Sequence, residues 1–235
     1  MIPKTIHYCW FGGKPKPKSV QRCIDSWKKY CPDYEVKEWN EQNYDVNRIP
    51  YTRNAYQAGK YAFVSDVARF LVLYQEGGVY FDTDVEAIKP IDNLLERGPF
   101  MGWERAGSNI LNVNPGLGLA APAGFPLYKE ILDGFARLNY YLEDGQWNPY
   151  TMIPLVTDLL KGKGLLTDGS LQTVDGLTIY PADYLCPMDS LTGKISLTEN
   201  TYTIHHYSMS WLPKKTQWRV LLMRKIRKCL NLSVF

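Results

Sequence analysis

Asp82 and Asp84 stand two residues apart at the end of the run Gly77-Gly78-Val79-Tyr80-Phe81-Asp82-Thr83-Asp84-Val85. Aromatic and β-branched residues crowd that run, so it reads as a buried strand. Strand alternation would then send both carboxylates to one face, their roots about 7 Å apart. A hard divalent cation takes oxygen ligands at about 2.0–2.6 Å. One carboxylate of such a pair can hold the cation while its neighbour accepts from a sugar hydroxyl, which outlines a site for a sugar diphosphate. An Asp-x-Asp tripeptide alone is most often a solvated turn. The apolar strand before it, and Val85 and Ile88 after it, place this one at a strand's mouth.

The segment feeding that strand carries a second charged pair. Asp66 and Arg69 are three residues apart and share a helical face. On a wet surface such a pair is worth a few tenths of a kcal/mol. Here Ala62, Phe63, Val64, Val67, Ala68, Phe70, Leu71, Val72 and Leu73 leave almost no solvent-facing stripe. The pair is therefore expected to be partly buried, where a protein partner or a ligand must satisfy it.

Strands and helices that could position these groups alternate along the chain. Residues 5–11 read as a strand, 19–30 as a helix capped by Ser19, 34–39 as a second strand and 60–75 as an amphipathic helix closed by Gly77-Gly78. Residues 40–56 give no clear period. Further on, 100–104, 116–121 and 177–180 are strand candidates, and 127–141 and 152–160 helix candidates. The order predicts an α/β domain with a mixed, mostly parallel Rossmann-like sheet flanked by helices, its ligands at the carboxyl edge.

With 235 residues and 45% hydrophobic content, one such domain is sufficient. Five scattered cysteines with no C-x-x-C pair suggest neither a zinc site nor a disulfide framework, and reduced thiols in a cytoplasmic protein are the simplest expectation. No leader-like start and no apolar run of membrane-spanning length is evident. The net charge of +3 is unevenly spread: residues 214–235 hold seven basic side chains and no acid, leaving residues 1–213 at −4. We therefore expect a domain over 1–213 and a basic amphipathic tail over 214–235. With Trp218, Leu221, Leu222, Met223 and Ile226 among its bases, that tail suits an anionic membrane surface at its cytoplasmic face, the alternative being a terminal helix with a solvated basic side. Nucleic acid is not expected as a partner, because the basic charge does not continue through the body.

The blocks Tyr61–Phe70 and Leu73–Asp84 and the opening Ile2–Gly13 together resemble glycosyltransferase family 32, whose sugar transferases carry a DxD signature and are related to the glucosyltransferase domains of large clostridial toxins. The likeness is strong over residues 1–90, moderate over 200–211 and thin between. It implies a GT-A-type fold and hexose transfer from a nucleotide-sugar, with UDP favoured, to a glycan or lipid-linked acceptor in surface polysaccharide synthesis, with retention of configuration.

Carried onto this chain, the resemblance implies that Trp10 stacks on the nucleotide base and that Ser65, Asp66 and Arg69 hold the donor sugar. Asp82 would bridge ribose and sugar hydroxyls, with Tyr80 as a wall of the pocket, and Asp84 would ligate the metal. The segment 112–118 would line the sugar pocket. In His205-His206-Tyr207-Ser208-Met209-Ser210-Trp211, a histidine would complete the metal site, favouring Mn2+ over Mg2+. His206 is taken as that ligand in preference to His205, and Ser210 and Trp211 as diphosphate contacts. His7 reads as strand packing. Thr151-Met152-Ile153-Pro154 departs from the family's Thr-Gly-Pro, so the acceptor side is open. A metal-dependent sugar hydrolase and a non-catalytic glycan-binding module are the other classes weighed. Same-strand acids do not naturally flank a scissile bond from opposite faces, and a binding module requires no metal-poised pair.

Overall fold

The computed structural model describes residues 1–106, 110–209, 212 and 214–229. Strand β1 (Thr5–Cys9) lies parallel between β2 (Glu35–Trp39) and β3 (Gly78–Tyr80). The sheet continues from β3 to β7 (Leu119–Ala121), β5 (Phe100–Ala106), β9 (Leu177–Tyr180) and β8 (Gln172–Val174), and β6 (Ile110–Val113) pairs with β5. Strand β7 opposes both its neighbours while β5 and β9 are parallel. Five strands, β2, β1, β3, β5 and β9, thus run one way against three, which is the mixed, mostly parallel α/β sheet that the sequence predicts. A separate ribbon pairs β4 (Val85–Ala87) antiparallel with β10 (Thr203–His205).

Period-2 alternation divides the core between the two faces of the sheet. Ile6, Tyr8, Val79 and Phe81 point to one side, where α1 (Lys18–Tyr30) supplies Val20, Cys23, Ile24 and Trp27. Cys9 and Tyr80 point to the other, against α3 (Tyr61–Glu76), α5 (Pro126–Arg137) and α6 (Met152–Gly162). His7 is fully buried and paired on both ring nitrogens, accepting from Trp39 Nε1 at 3.1 Å through Nδ1 and meeting Gly77 O at 2.9 Å through Nε2. It is packing, as expected. Gly77 ends α3 at a φ of 70°, and a Cβ there would lie 2.7 Å from the Ala123 amide nitrogen, so only glycine fits this entry into β3.

Several elements differ from the sequence expectation. Helix α1 starts at Lys18 with Pro17 at its N-cap and no side-chain cap bond, so Ser19 lies inside the helix instead of capping it, and α5 ends at Arg137, short of residue 141. Residues 40–56 hold the start of α2 (Pro50–Gln57), a helix opened by a proline in its first turn, which the surrounding polar residues hide. The expected strand 116–121 shortens to β7 because Pro115–Leu117 form a 3-10 turn. Strand β3 stops at Tyr80, and Asp82–Val85 form a tight turn in which the Val85 N–H donates to Asp82 O at 3.0 Å.

Two single-turn helices, α4 (Asp92–Leu95) and α7 (Ala182–Leu185), lie between these elements, and the described part of the tail is helix α8 (Lys214–Cys229). No described helix is long and apolar enough to cross a membrane. Cys9, Cys23, Cys31 and Cys186 are buried free thiols.

Candidate active site

Because β1 and β3 are adjacent and parallel, the chain leaves both at the same edge, with Trp10 following β1 and Asp82 following β3. Helix α3 brings Arg69, only 2% exposed, to that edge. Arg69 Nη2 lies 3.0 Å from Asp66 Oδ1 and 3.0 Å from Asp82 Oδ1, and Nε donates to Ser65 O at 3.2 Å. The Tyr80 hydroxyl donates to the same Asp82 oxygen at 3.1 Å, and the guanidinium sits 5.0 Å from the Tyr80 ring centre. The Asp66–Arg69 pair is thus a buried bridge between helix and turn. Arg69 Nη1 is buried with no protein partner among the described residues, a donor left for something else to meet.

These acids differ in their electrostatics. Burial pushes Asp66 up to about 7, Arg69 only partly offsetting it. Burial likewise raises Asp82 against the pull of Arg69. Burial works against the charge of Arg69 too, but Asp82, Tyr80 and Asp66 outweigh it and keep the guanidinium charged. Burial alone would also raise Asp84. His205 and the Ser208 amide reverse that, holding its carboxyl well below the usual range.

The Asp84 carboxylate accepts the Ser208 N–H at Oδ2 (2.7 Å) and faces His205 Nε2 from Oδ1 (3.2 Å). Ligand atoms of Asp82, Asp84 and His205 all lie within 4.8 Å of one another. Two carboxylate oxygens and an imidazole nitrogen form a donor set suited to a first-row divalent cation. The His205 ring is tuned accordingly: burial disfavours its charge, yet Asp84 raises its pKa above the ordinary value, so the site favours positive charge. His205 Nδ1 is a second buried polar atom without a described partner. The donor set fits a metal.

The histidine expected from the sequence is corrected by register. His205 pairs with Val85 in the ribbon and turns inward, while His206 presents Nε2 to Glu86 Oε2 at 2.7 Å. Only the His206 backbone reaches the site, donating to Asp84 O at 2.9 Å. The structure also adds Asn114 and Gly116 by name within the expected lining segment. Asn114 Oδ1 accepts the Gly116 N–H at 2.7 Å, and a Cβ on Gly116 would fall 2.5 Å from Asp82 Oδ2 and 3.4 Å from Arg69 Nη1. The Asn-Pro-Gly triplet was the available signal, since asparagine before Pro-Gly commonly opens a turn. Ser65 lies beside the network, its hydroxyl donating to Tyr61 O at 3.2 Å. Trp10 is half-buried and donates through Nε1 to Lys14 O at 2.6 Å. Ser210 and Trp211 lie outside the described residues.

Residues 17–101 match the family described as a glycosyltransferase sugar-binding region containing the DXD motif, and Asp82-Thr83-Asp84 is that motif. Over those residues the chain is similar to this glycosyltransferase family. Among curated relatives, inositol phosphoceramide mannosyltransferase 3 of Schizosaccharomyces pombe is 30% identical over 149 residues, covering 60% of this chain and 39% of the relative. The initiation-specific alpha-1,6-mannosyltransferase of Candida albicans is 30% identical over 104 residues, covering 40% and 27%. The chain therefore spans well under half the length of these relatives. Among solved structures, the PaToxG glycosyltransferase superposes with a TM-score of 0.52 at 22% identity, covering 69% of this chain and 70% of that one. That likeness is one of fold, and agrees with the GT-A-type architecture.

Proposed function

We propose that this chain transfers a hexose from a nucleotide-sugar to a hydroxyl of a glycan or lipid-linked acceptor, using a divalent cation. The observation that carries this reading is the pairing of an ionised Asp84, backed by His205, with an Asp82 locked to a buried arginine across a glycine-lined gap. Asp84, Asp82 and His205 would hold Mn2+, or Mg2+. When bound, the cation supplies charge neutralisation at the diphosphate leaving group.

The chain's own residues do the remainder. Asp66 and Asp82 accept from sugar and ribose hydroxyls, and the unpartnered Arg69 Nη1 donates to a sugar oxygen, fixing the reacting carbon. Trp10 would stack on the base, and Ser210 and Trp211 would contact the diphosphate. As the anomeric C–O bond breaks, the acceptor oxygen bonds to that carbon from the same face, retaining configuration. Its proton passes to an oxygen of the departing diphosphate, because Asp82 is engaged by Arg69 and Tyr80, and Asp84 by His205 and Ser208.

A lipid-linked acceptor in surface polysaccharide synthesis is supported by helix α8, which is packed inside out. Gln217, Val220, Arg224 and Arg227 turn toward the body, whereas Trp218 (77% exposed), Leu221, Leu222, Met223 and Ile226 face outward beside Lys215 and Arg219. An apolar face rimmed by bases matches an anionic bilayer. Two relatives are named for mannosyl transfer, so mannose joins glucose and galactose as the hexoses to try. The test is incubation with UDP- and GDP-linked hexoses plus Mn2+, following nucleotide release with and without sugar acceptors. Release from one donor, quickened by an acceptor, is expected. Release from none would overturn the proposal, and release indifferent to every acceptor would make the chain a hydrolase.

A further inference from the structure

We infer that Arg224 is a positioning residue for the Asp84 site, making helix α8 a working part of that site rather than a detachable tail. Arg224 is 7% exposed, in contrast to the outward face of its helix. Its Nε donates to Ser190 O at 2.9 Å and its Nη1 to Tyr207 O at 3.3 Å, with the guanidinium 6.0 Å from the Tyr207 ring centre. A buried guanidinium is costly to keep unless its donors are used. Nε anchors the guanidinium to Ser190, ahead of β10, and Nη1 holds the loop that follows β10.

That loop is held in an unfavourable shape. Tyr207 and Met209 adopt φ of 48° and 50°, a left-handed region that side-chain-bearing residues seldom take. Between them, Ser208 aims its N–H at Asp84 Oδ2, 2.7 Å away. Tyr207 also sets its ring edge-on to His205, centroids 4.3 Å apart, and its hydroxyl meets Cys186 Sγ at 2.8 Å. Arg224 thus holds the Tyr207–Ser208 peptide unit by its carbonyl, and the two residues it joins touch both sides of the cluster: the Ser208 amide on Asp84 and the Tyr207 ring on the His205 imidazole. Without it, the strained pair has a route to relax, and the Ser208 amide and His205 ring lose their aim. Residues holding a metal ligand in place typically matter to metal affinity by about 10–100-fold. Truncation at residue 213 would remove this support together with any membrane contact.

The metal arm of the test rests on the proposed function, and the exchange arm does not. In the full-length, metal-free chain, Arg224→Met should speed hydrogen exchange at the Ser208 amide by roughly tenfold or more, while the β1 and β3 amides of Ile6 and Tyr80 keep their rates. In direct titration with Mn2+ the dissociation constant should rise by about tenfold. Arg224→Lys, whose single ammonium cannot span both carbonyls, should fall between, and Trp218→Ser on the outward face should change neither readout. Unaltered Ser208 exchange would overturn the inference, as would an Arg224→Met that speeds all three amides alike. If the parent chain binds no Mn2+, the proposed cation role falls, and Ser208 exchange alone still decides the role of Arg224.

Discussion

Arg69 Nη2 and Asp82 Oδ1 lie 3.0 Å apart, joining the middle of α3 to the turn that carries the DXD motif. This contact makes the helix and the motif one unit. Replacing Arg69 with methionine leaves Asp66 and Asp82 facing each other with no cation between them. Removing one partner of a buried pair costs about 3–5 kcal/mol, and the urea midpoint at pH 7.5 should fall accordingly. Arg69→Lys restores charge but not the planar fork that reaches Ser65 O and both acids. It should recover much of the stability and little of the donor affinity.

Gly116 gives a sharper separation of site from scaffold. The Gly116→Ala methyl would sit 2.5 Å from Asp82 Oδ2 and so must displace that carboxylate or the 3-10 turn. Thermal unfolding should shift by only a few degrees, while kcat/KM for donor turnover should fall by roughly 100-fold, as misplacement of a positioning group by about 1 Å does.

Asp66 sets a pH dependence whose sign is fixed by burial. Its carboxyl is raised to about 7 in the folded chain against an ordinary 3.8, so the folded state binds more protons than the unfolded state between those values. Stability associated with this group is therefore present below about pH 4 and is lost as pH rises through 7. Asp66→Asn removes the penalty, and urea unfolding at pH 8 should show the variant more stable than the parent by at least about 1 kcal/mol. Sugar-donor binding should move the other way, because the amide puts an NH2 donor where the carboxylate has its second acceptor oxygen.

Much of this site was legible from local pattern. The apolar surroundings of Asp66 and Arg69 announced a buried pair, and the Gly77-Gly78 break placed the helix end correctly, because both depend only on neighbours along the chain. The aspartates sit in a turn, though β-branched and aromatic residues alone read as continuous strand, because the backbone must bend there to enter the ribbon with β10. His205 and His206 are adjacent and chemically identical. Only the register of a three-residue strand tells them apart, and no periodicity covers so short an element. The tail posed a similar limit: its bases and apolar residues interleave, and which set faces inward depends on the carbonyls of Ser190, Leu191 and Tyr207, far away in sequence.

The outward face of α8 makes its own prediction. Paired Trp218→Ser and Leu222→Ser substitutions remove two of its exposed apolar side chains without touching the inward line. Sedimentation with phosphatidylserine-containing vesicles should show binding weakened by about tenfold or more, with turnover of a soluble acceptor unchanged. Equal binding by parent and variant would remove the membrane from the account.

The most direct measurement of the central claim is Mn2+-dependent donor turnover by the Asp84→Asn variant beside the parent chain. The account predicts that the parent is silenced by chelator and restored by Mn2+ in a saturable way, and that the variant is slower by at least about 100-fold at every Mn2+ concentration. Turnover in the parent that ignores chelator, or a variant with the parent's Mn2+ response, would contradict it.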